Sequence, residues 1–521
     1  MRDADNQRER TADDESNDGS IIQRRKFLKG IGATGVTAGL AGCGGDGGGS
    51  PTETPKETST EMTEETSTET MGGGGQQEEV TLSWVVLGIM KNNEDATKQA
   101  LRDAGLPDYI NLELLSVGNI TDQLQSKYNQ WLTSQRETPT LLTVDNGWSI
   151  PFIVRGQFLN LTKELSDDKL NKINNEYFTA SVNTAKHPST RNLYAVPMFP
   201  EPPTIQYRKD LVEAAGYDPE GESWATNPLT WKRFSKIAKD VRDQSDAQFG
   251  YTWQGRGPEQ VSCCAFPELF HSWGGSYVGG RKNLFGNVGD RPITVDEQPV
   301  VDSIRMARTF IYGSDDPESL DGYEQISPDK VISWKVLPSA SAFREGNAVF
   351  HRQWTFNIPL AGAEDVFGKN LGVMPMPYAV TQEESEYPNI GGSSPALGGW
   401  HVAVNPFVPE KKRQAALDFF DAFMSEEFML SNFEINGWMP PQKDLVTAER
   451  ARNVPVVGRY TDTLQLSMEN AVPRPVTPVW PRESDLIFQE FDAAIQQKKT
   501  PQKAMSDLKG KMQQVENAYT G

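Results

Sequence analysis

The chain has 521 residues, of which 37% are hydrophobic and 23% are charged, and its mean hydropathy is −0.56. Asp and Glu number 71 against 51 Lys and Arg, which gives a formal net charge of −20 and a pI of about 4.8. Such an acid excess disfavours binding to nucleic acid or to an anionic surface, so we expect no nucleic-acid partner.

Residues 1–43 carry the features of an export signal. The pair Arg24-Arg25 precedes a Gly/Ala-rich stretch that ends in Leu-Ala-Gly before Cys43. A basic region followed by a modest apolar stretch is typical of a secretory signal, and the arginine pair indicates the twin-arginine route for folded proteins. Residues 27–42 are too short and too rich in glycine to span a bilayer, which takes roughly 20 mostly apolar residues.

Cys43 indicates attachment to the membrane after export. The sequence Leu-Ala-Gly-Cys resembles the lipobox of secreted lipoproteins, in which the cysteine is lipid-modified and becomes the new N-terminus. We therefore predict a lipid anchor at Cys43 on the extracellular face of the cell membrane; a cleaved signal with a chance cysteine is the alternative. The spacing Gly30-x-Gly32-x-x-Gly35 fits a dinucleotide-binding turn, but it lies in a segment expected to be removed.

Residues 44–77 differ in composition from the rest of the chain. They consist mainly of Thr, Glu and Gly and contain almost no large apolar side chains. Such a stretch cannot bury enough surface to offset the entropy of ordering, so we predict a disordered spacer between the anchor and the folded body. An acidic protein exported in the folded state resembles the secreted proteins of salt-loving archaea, with an acidic mesophilic protein as the alternative.

Residues 78–521 form a longer stretch than one hydrophobic core usually supports, so two lobes are expected. The cysteines of this part, Cys263 and Cys264, are adjacent. A vicinal disulfide is strained and rare, and we therefore predict two free thiols on a helix. The four histidines are far apart without metal-ligand spacing, so we expect no metal and no cofactor.

The first predicted elements of this part alternate between strand and helix. Strands are predicted at 80–87 and 111–117, with a polar helix at 95–104 between them. A third strand at 140–144 follows an amphipathic helix and ends at Asp145. This β-α-β order predicts a parallel sheet, and polar groups at the carboxyl ends of such strands are where open α/β sheets bind ligands.

Later segments continue the alternation. Strands are predicted at 193–197 and 399–404. Thr230 is predicted to cap a helix whose apolar face carries Trp231, Phe234, Ile237 and Val241, and another helix carries Ala416, Phe419, Phe420 and Phe423 on one side. Two helices at about 483–497 and 502–517 close the chain.

Several segments together resemble a known family. They are PTLLTVD at 139–145, YAVP at 194–197, YRKDL at 207–211, FREGNAVF at 343–350, LGGW at 397–400 and RP at 474–475. In order and spacing the chain resembles the sugar-binding family of extracellular solute-binding proteins that serve ABC importers, the group that includes maltose- and trehalose-binding proteins.

The resemblance implies a fold and a layout. The fold is α/β, of the two-lobed periplasmic-binding-protein-like type (type II), with a hinge and an interlobe cleft. The N-terminal lobe would comprise residues 78–191 and 393–434, and the C-terminal lobe residues 192–392 and 435–521.

The resemblance also implies candidate ligand contacts. A sugar presents C–H faces that pack on aromatic rings and hydroxyls that need planar polar partners. The positions implied are Asp145, Trp148, Glu201, Trp253, Trp354, Gly399, Trp400 and Arg474. At 201 the family commonly has an aspartate, so this chain departs from the pattern there. Two glycines before Trp400 would allow the close approach of a ligand.

The implied function is the capture of a disaccharide or oligosaccharide of the trehalose or maltose type, followed by delivery to an ABC permease with its ATPase. No catalytic residue is expected. Asp145 and Glu201 could instead serve a membrane-anchored glycoside hydrolase, which needs two carboxyls roughly 5–10 Å apart. A third possibility is the same fold with a different solute.

Overall fold

The computed structural model describes residues 78–117, 121–475 and 477–519. The predictions for the signal at 1–43, for lipid attachment at Cys43 and for the spacer at 44–77 lie outside these residues. The strands are β1 (Val80–Val85), β2 (Ile110–Leu115), β3 (Leu141–Asp145), β4 (Ala195–Glu201), β5 (Thr204–Arg208), β6 (Phe249–Thr252), β7 (Ala348–Gln353), β8 (Leu371–Met374) and β9 (Gly398–Val404).

Helices lie between these strands along the chain and follow the last of them, and their lengths vary widely. The first nine are α1 (Gly88–Asn92), α2 (Glu94–Asp103), α3 (Thr121–Thr133), α4 (Ser149–Val154), α5 (Asp167–Glu176), α6 (Thr179–Thr184), α7 (Lys209–Ala214), α8 (Trp231–Asp243) and α9 (Phe266–His271). The next nine are α10 (Gln298–Tyr312), α11 (Val336–Arg344), α12 (Asn357–Ala361), α13 (Glu410–Phe423), α14 (Glu426–Asn436), α15 (Glu449–Arg452), α16 (Thr461–Asn470), α17 (Trp480–Ile495) and α18 (Pro501–Ala518). Within the described ranges no helix is both long and apolar enough to cross a membrane.

The first sheet has five strands in the order β2-β1-β3-β9-β4. Strand β1 is parallel to β2 and to β3, as the β-α-β order predicts. Strand β9 arrives from much later in the chain and is antiparallel to both of its neighbours. Because β3 and β4 therefore run in the same direction, their carboxyl ends lie at the same edge of the sheet.

The second sheet has four strands in the order β6-β7-β5-β8. Strand β5 is antiparallel to β7 and β8, and β6 is parallel to β7. Only Pro202 and Pro203 separate β4 of the first sheet from β5 of the second. The chain thus passes from one sheet to the other directly after the edge where β3 and β4 end.

The buried apolar side chains of the described residues form two large clusters, and the first also includes Ala348, Leu371 and Val373 of the second sheet. The first cluster includes residues of β1, β3 and β9 together with the phenylalanines of α13. The second includes the predicted apolar face of α8, with Trp231, Phe234 and Val241 at 0% exposure. The Thr230 hydroxyl accepts a hydrogen bond from the Arg233 amide, which confirms the predicted helix cap.

Residues of the C-terminal part contribute to both clusters. Trp438 stacks on Phe199 of β4, with ring centroids 4.4 Å apart, and belongs to the first cluster. The Tyr460 hydroxyl donates to the Leu371 carbonyl of β8, in the second sheet. The last helices, α17 and α18, belong to the second cluster. The chain therefore returns to both sheets after residue 434.

Candidate functional site

Two carboxylates lie at the edge where β3 and β4 end. Asp145 is the last residue of β3 and pairs with Trp400 of β9, and Glu201 is the last residue of β4 and pairs with Gly398. Strand β9 lies between β3 and β4, so the two carboxylates flank its N-terminal end. This placement follows from strand direction, because the carboxyl ends of β3 and β4 meet the beginning of an antiparallel β9.

Arg474 reaches this edge from the C-terminal part of the chain. Its Nη2 lies 3.7 Å from Asp145 Oδ1 and donates to Asn146 Oδ1 at 3.1 Å and to the Leu397 carbonyl at 3.4 Å. Burial lowers the pKa of Arg474, and the charge of Asp145 opposes that shift. Arg474 therefore braces the Asp145 carboxylate.

Gly147 is required by the position of Arg474. A Cβ atom at residue 147 would lie 1.9 Å from Arg474 Nη1, inside any permissible contact distance. We expect Gly147→Ala to displace the guanidinium from Asp145 and Asn146 and to lower the free energy of unfolding by about 1–3 kcal/mol, as measured in urea. Gly510→Ala in α18 is the matched control.

The control glycine differs in its surroundings. A Cβ atom at Gly510 meets no atom within 4 Å. Gly510→Ala is expected to stabilise its helix by up to about 1 kcal/mol. Equal effects of the two substitutions would contradict the bracing role of Arg474.

Glu201 is partly buried and its carboxylate is held from the second sheet. Its Oε1 accepts hydrogen bonds from the Thr355 hydroxyl and the Phe356 amide, both at 3.1 Å. Burial raises the pKa of Glu201 to about 7, and the nearby charge of Asp145 acts in the same direction. The two hydrogen bonds and the charge of Arg352 lower this pKa, but their effect is smaller than that of burial. The side chain thus links the two sheets at the edge.

The raised pKa of Glu201 predicts a pH dependence of stability. Between about pH 4.5 and 7 the carboxyl is ionised in the unfolded chain and protonated in the folded one. The folded state then binds more protons, so this group makes stability fall as pH rises through that window. We expect Glu201→Gln to become progressively more favourable relative to wild type from pH 4.5 to 7, as measured by denaturant unfolding. The matched control is Glu383→Gln, which removes an exposed carboxylate, and a pH-independent difference for Glu201→Gln would contradict this prediction.

Trp354 follows directly after β7 and meets β9. Its Cζ3 atom would lie 2.5 Å from a Cβ at Gly398, so only glycine leaves room for the ring there. The Arg352 guanidinium carbon lies 4.4 Å from the centroid of the indole. The backbone carbonyl of Trp354 accepts from Gln206 Nε2 at 3.1 Å. An aromatic side chain of the second sheet is therefore fixed beside the strand ends of the first.

Gly399 lies against the neighbouring strand β4. Its φ is +124°, and a Cβ there would lie 2.4 Å from the Phe199 carbonyl oxygen of β4. The absence of a side chain thus permits the close approach of the neighbouring strand. Trp400, the next residue, is partly buried and packs against the first cluster. Its position opposite Asp145 is set by the β3–β9 register.

Two other predicted tryptophans are buried. Trp148 is 5% exposed and packs on Tyr128 and Phe152, with centroid distances of 5.7 and 5.4 Å. Trp253 is 4% exposed and lines a cavity of about 10 Å³ together with Arg352. Trp148 therefore lies in the first core behind Asp145, and Trp253 lies behind Arg352 in the second.

The prediction of two free thiols was wrong. Cys263 and Cys264 form a disulfide with each other. They lie on a helical segment, as expected, but it is a π-helix at Val261–Ala265 and not a regular α-helix. The pair is buried in a small cluster with Ala396, against which Trp354 packs. The prediction relied on the strain and rarity of vicinal disulfides, which do not prevent this one.

Arg352 is a residue of this region that sequence reasoning missed. It is 1% exposed, and its guanidinium binds both oxygens of Glu268, with a Nε–Oε2 distance of 2.8 Å, and donates to Gln254 at 2.9 Å. The available signal was a charged side chain inside an apolar strand, which demands a partner. The described residues contain no group of three or more His, Cys, Asp or Glu that could hold a metal ion.

Comparisons with known proteins agree with this architecture. A family model described as bacterial extracellular solute-binding protein matches residues 115–455. A probable ABC transporter-binding protein of Deinococcus radiodurans is 23% identical over 419 residues, which cover 78% of this chain and 86% of that protein.

Solved structures share the fold at low identity. Maltose-bound MalE3 of T. maritima has a TM-score of 0.67 at 22% identity, covering 84% of this chain and 99% of that one. UgpB of Mycobacterium tuberculosis in complex with glycerophosphocholine has a TM-score of 0.63 at 16% identity, covering 84% and 99%. The predicted two-lobed periplasmic-binding-protein-like α/β fold is confirmed. The chain belongs to the bacterial extracellular solute-binding protein family, whose members are the binding components of ABC importers.

Proposed function

We propose that this protein captures a disaccharide or oligosaccharide of the trehalose or maltose type outside the cell and delivers it to an ABC permease. One observation carries the proposal. Asp145 and Trp400 of the first sheet, and Trp354 of the second, converge where the chain passes between the sheets. Aromatic rings and carboxylates are the groups that the C–H faces and hydroxyls of a sugar need.

Unsatisfied donors near Asp145 support a polar ligand. The side-chain Nδ2 of Asn146 and the Nε1 of Trp148 are buried and have no hydrogen-bond partner among the described residues. Buried donors without partners are unfavourable, and a hydroxyl-rich molecule or a bound water would satisfy them. In the proposed site the hydroxyls are bound by Asp145, Glu201 and Arg474. The sugar packs on Trp354 and Trp400. Trp148 and Trp253 support the site from the two cores, and Gly399 sets the strand spacing.

The proposed mechanism is closure of two lobes on the ligand. We assign residues 78–191 and 393–434 to one lobe and 192–392 and 435–521 to the other, except that β4 pairs in the first sheet and Trp438 packs on β4. A ligand that contacts both lobes stabilises the closed state by its differential affinity for that state, and the permease recognises the closed surface. No bond of the sugar is broken in this cycle. Affinity then depends on contacts from both sheets.

The proposal includes a location. Export by the twin-arginine route, lipid attachment at Cys43 and a spacer at 44–77 would hold the body at the extracellular face of the membrane. The net charge of −20 supports a haloarchaeal origin, because carboxylates keep a protein surface hydrated in high salt. Mass spectrometry of the membrane-extracted protein tests the anchor: a lipid-modified Cys43 at the N-terminus is expected, and an N-terminus without lipid would contradict it.

Calorimetry with a sugar panel in high salt tests the cargo. We expect saturable binding of a trehalose- or maltose-type sugar, with glycerophosphocholine and amino acids as comparison ligands. Release of reducing sugar is measured in parallel. Turnover without saturable binding would favour a glycoside hydrolase, and binding of a comparison ligand alone would keep the fold but change the cargo.

A further inference from the structure

The Cys263–Cys264 disulfide lies beside the proposed site. Both cysteines are buried, at 5% and 1% exposure, in a cluster with Ala396. Ala396 precedes β9 and forms a bridge with Val472, two residues before Arg474. Trp354 packs against this cluster. The disulfide therefore lies where the segment leading into β9 meets the second sheet.

The π-helix that carries the disulfide is fixed to its own lobe. The Ser262 hydroxyl donates to the Ser484 carbonyl of α17 at 2.6 Å, and the Ser262 carbonyl accepts from the Tyr277 hydroxyl at 3.0 Å. Val261 and Ala265 on either side belong to the second buried cluster. These contacts hold the π-helix in place, and with it the cluster against which Trp354 packs.

We propose that the Cys263–Cys264 disulfide is a positioning element for Trp354, so that sugar affinity depends on the oxidation state of this pair. The inference rests on the proposed function. Sulfur is polarizable and packs favourably on aromatic rings. Arg352 contacts the face of the indole, Gly398 lies at its edge, and the cluster that contains the disulfide packs against it.

Reduction separates the sulfur atoms. The disulfide takes up two electrons and two protons from a dithiol, which closes to its own cyclic disulfide, and two thiols result. Two thiols rotate independently about their Cα–Cβ bonds, whereas the disulfide holds both sulfurs in one arrangement. The contact with Trp354 then loses its fixed geometry. An extracellular protein meets oxidising conditions, in which the disulfide persists.

Fluorine NMR of protein labelled with 5-fluorotryptophan tests the positioning without any ligand. Trp354→Phe assigns the resonance of residue 354. We expect dithiothreitol to shift that resonance and to leave that of Trp84, buried in the first sheet, unchanged. Cys263→Ser/Cys264→Ser is expected to show the shift without reductant and no response to it. An unmoved Trp354 resonance in protein whose reduction is verified by alkylation would overturn the inference, even if the double variant fails to fold.

Calorimetry in both redox states tests the consequence for binding. Reduction is expected to weaken the affinity of the best sugar of the panel by roughly 2- to 10-fold, the range of sulfur–aromatic contacts. In Trp354→Phe this redox dependence should shrink, because the contact acts through the indole. An undiminished dependence in that variant, or none in wild type, would overturn the inference. If oxidised wild type binds no sugar, the proposed function fails, and the NMR result still decides the inference.

Discussion

Trp354→Ala is expected to weaken sugar binding by about 30- to 1,000-fold, which corresponds to about 2–4 kcal/mol. The indole is partly buried, and Arg352 fixes it from one face with a guanidinium-to-centroid distance of 4.4 Å. A ring that is already immobilised loses little conformational entropy when it packs on a ligand. Its removal takes away apolar contact area together with the stacking geometry. Calorimetry with the best sugar of the panel measures the effect.

The matched control for this change is Trp273→Ala. Trp273 is also a partly buried tryptophan of the second cluster, and it contacts Tyr323, with ring centroids 6.1 Å apart. It is not among the residues proposed to hold the sugar. We expect Trp273→Ala to change the melting temperature and to leave the sugar affinity within about twofold. Comparable loss of affinity in both variants, or none in Trp354→Ala, would contradict the assignment of Trp354.

Local periodicity was sufficient to predict much of the fold. The helix α8 spans Trp231–Asp243 with its predicted apolar face buried, because a 3.6-residue period places such side chains on one side. Strands β1 and β2 are parallel, as expected from the intervening helix. The antiparallel insertion of β9 between β3 and β4 has no local signal, since its partners lie more than 190 residues away. Only the resemblance to a family implied that late return.

The candidate site was predictable where strand ends define it. Asp145 lies at the predicted end of β3, whereas β4 extends past the predicted strand end at 197 to Glu201, a position that only the resemblance implied. Burial behind those ends was not predictable, because the exposure of Trp148 and Trp253 depends on how the surrounding helices pack. Tertiary packing therefore decides which aromatic residues can touch a ligand.

The other features of this region that the sequence did not predict involve pairs of residues. Arg352 and Glu268 are 84 residues apart, and the sequence around either residue does not indicate that the other is its partner. The disulfide was not predicted because its partners are adjacent, and a disulfide between adjacent cysteines is strained and rare. The backbone at Val261–Ala265 is π-helical, and no residue type in the segment signals it.

Arg352→Met is expected to lower the free energy of unfolding by about 3–5 kcal/mol. The side chains of Arg352 and Glu268 are 2% and 1% exposed, so removal of the guanidinium leaves a carboxylate buried without its counter-charge. Gln254 loses a charged donor at the same time. Denaturant unfolding measures the effect. Sugar affinity should fall as well, because the indole of Trp354 loses the cation that packs on its face.

Two controls separate the buried pair from salt bridges in general. Arg452 and Asp462 form an ion pair in which the side chains are 46% and 56% exposed. Arg452→Met should therefore cost no more than about 1 kcal/mol, since water already solvates both charges. The double variant Arg352→Met/Glu268→Met removes both buried charges and should recover much of the stability lost by Arg352→Met alone. A double variant that is less stable than the single one would show that the ion pair stabilises the second lobe beyond its desolvation cost, against this prediction.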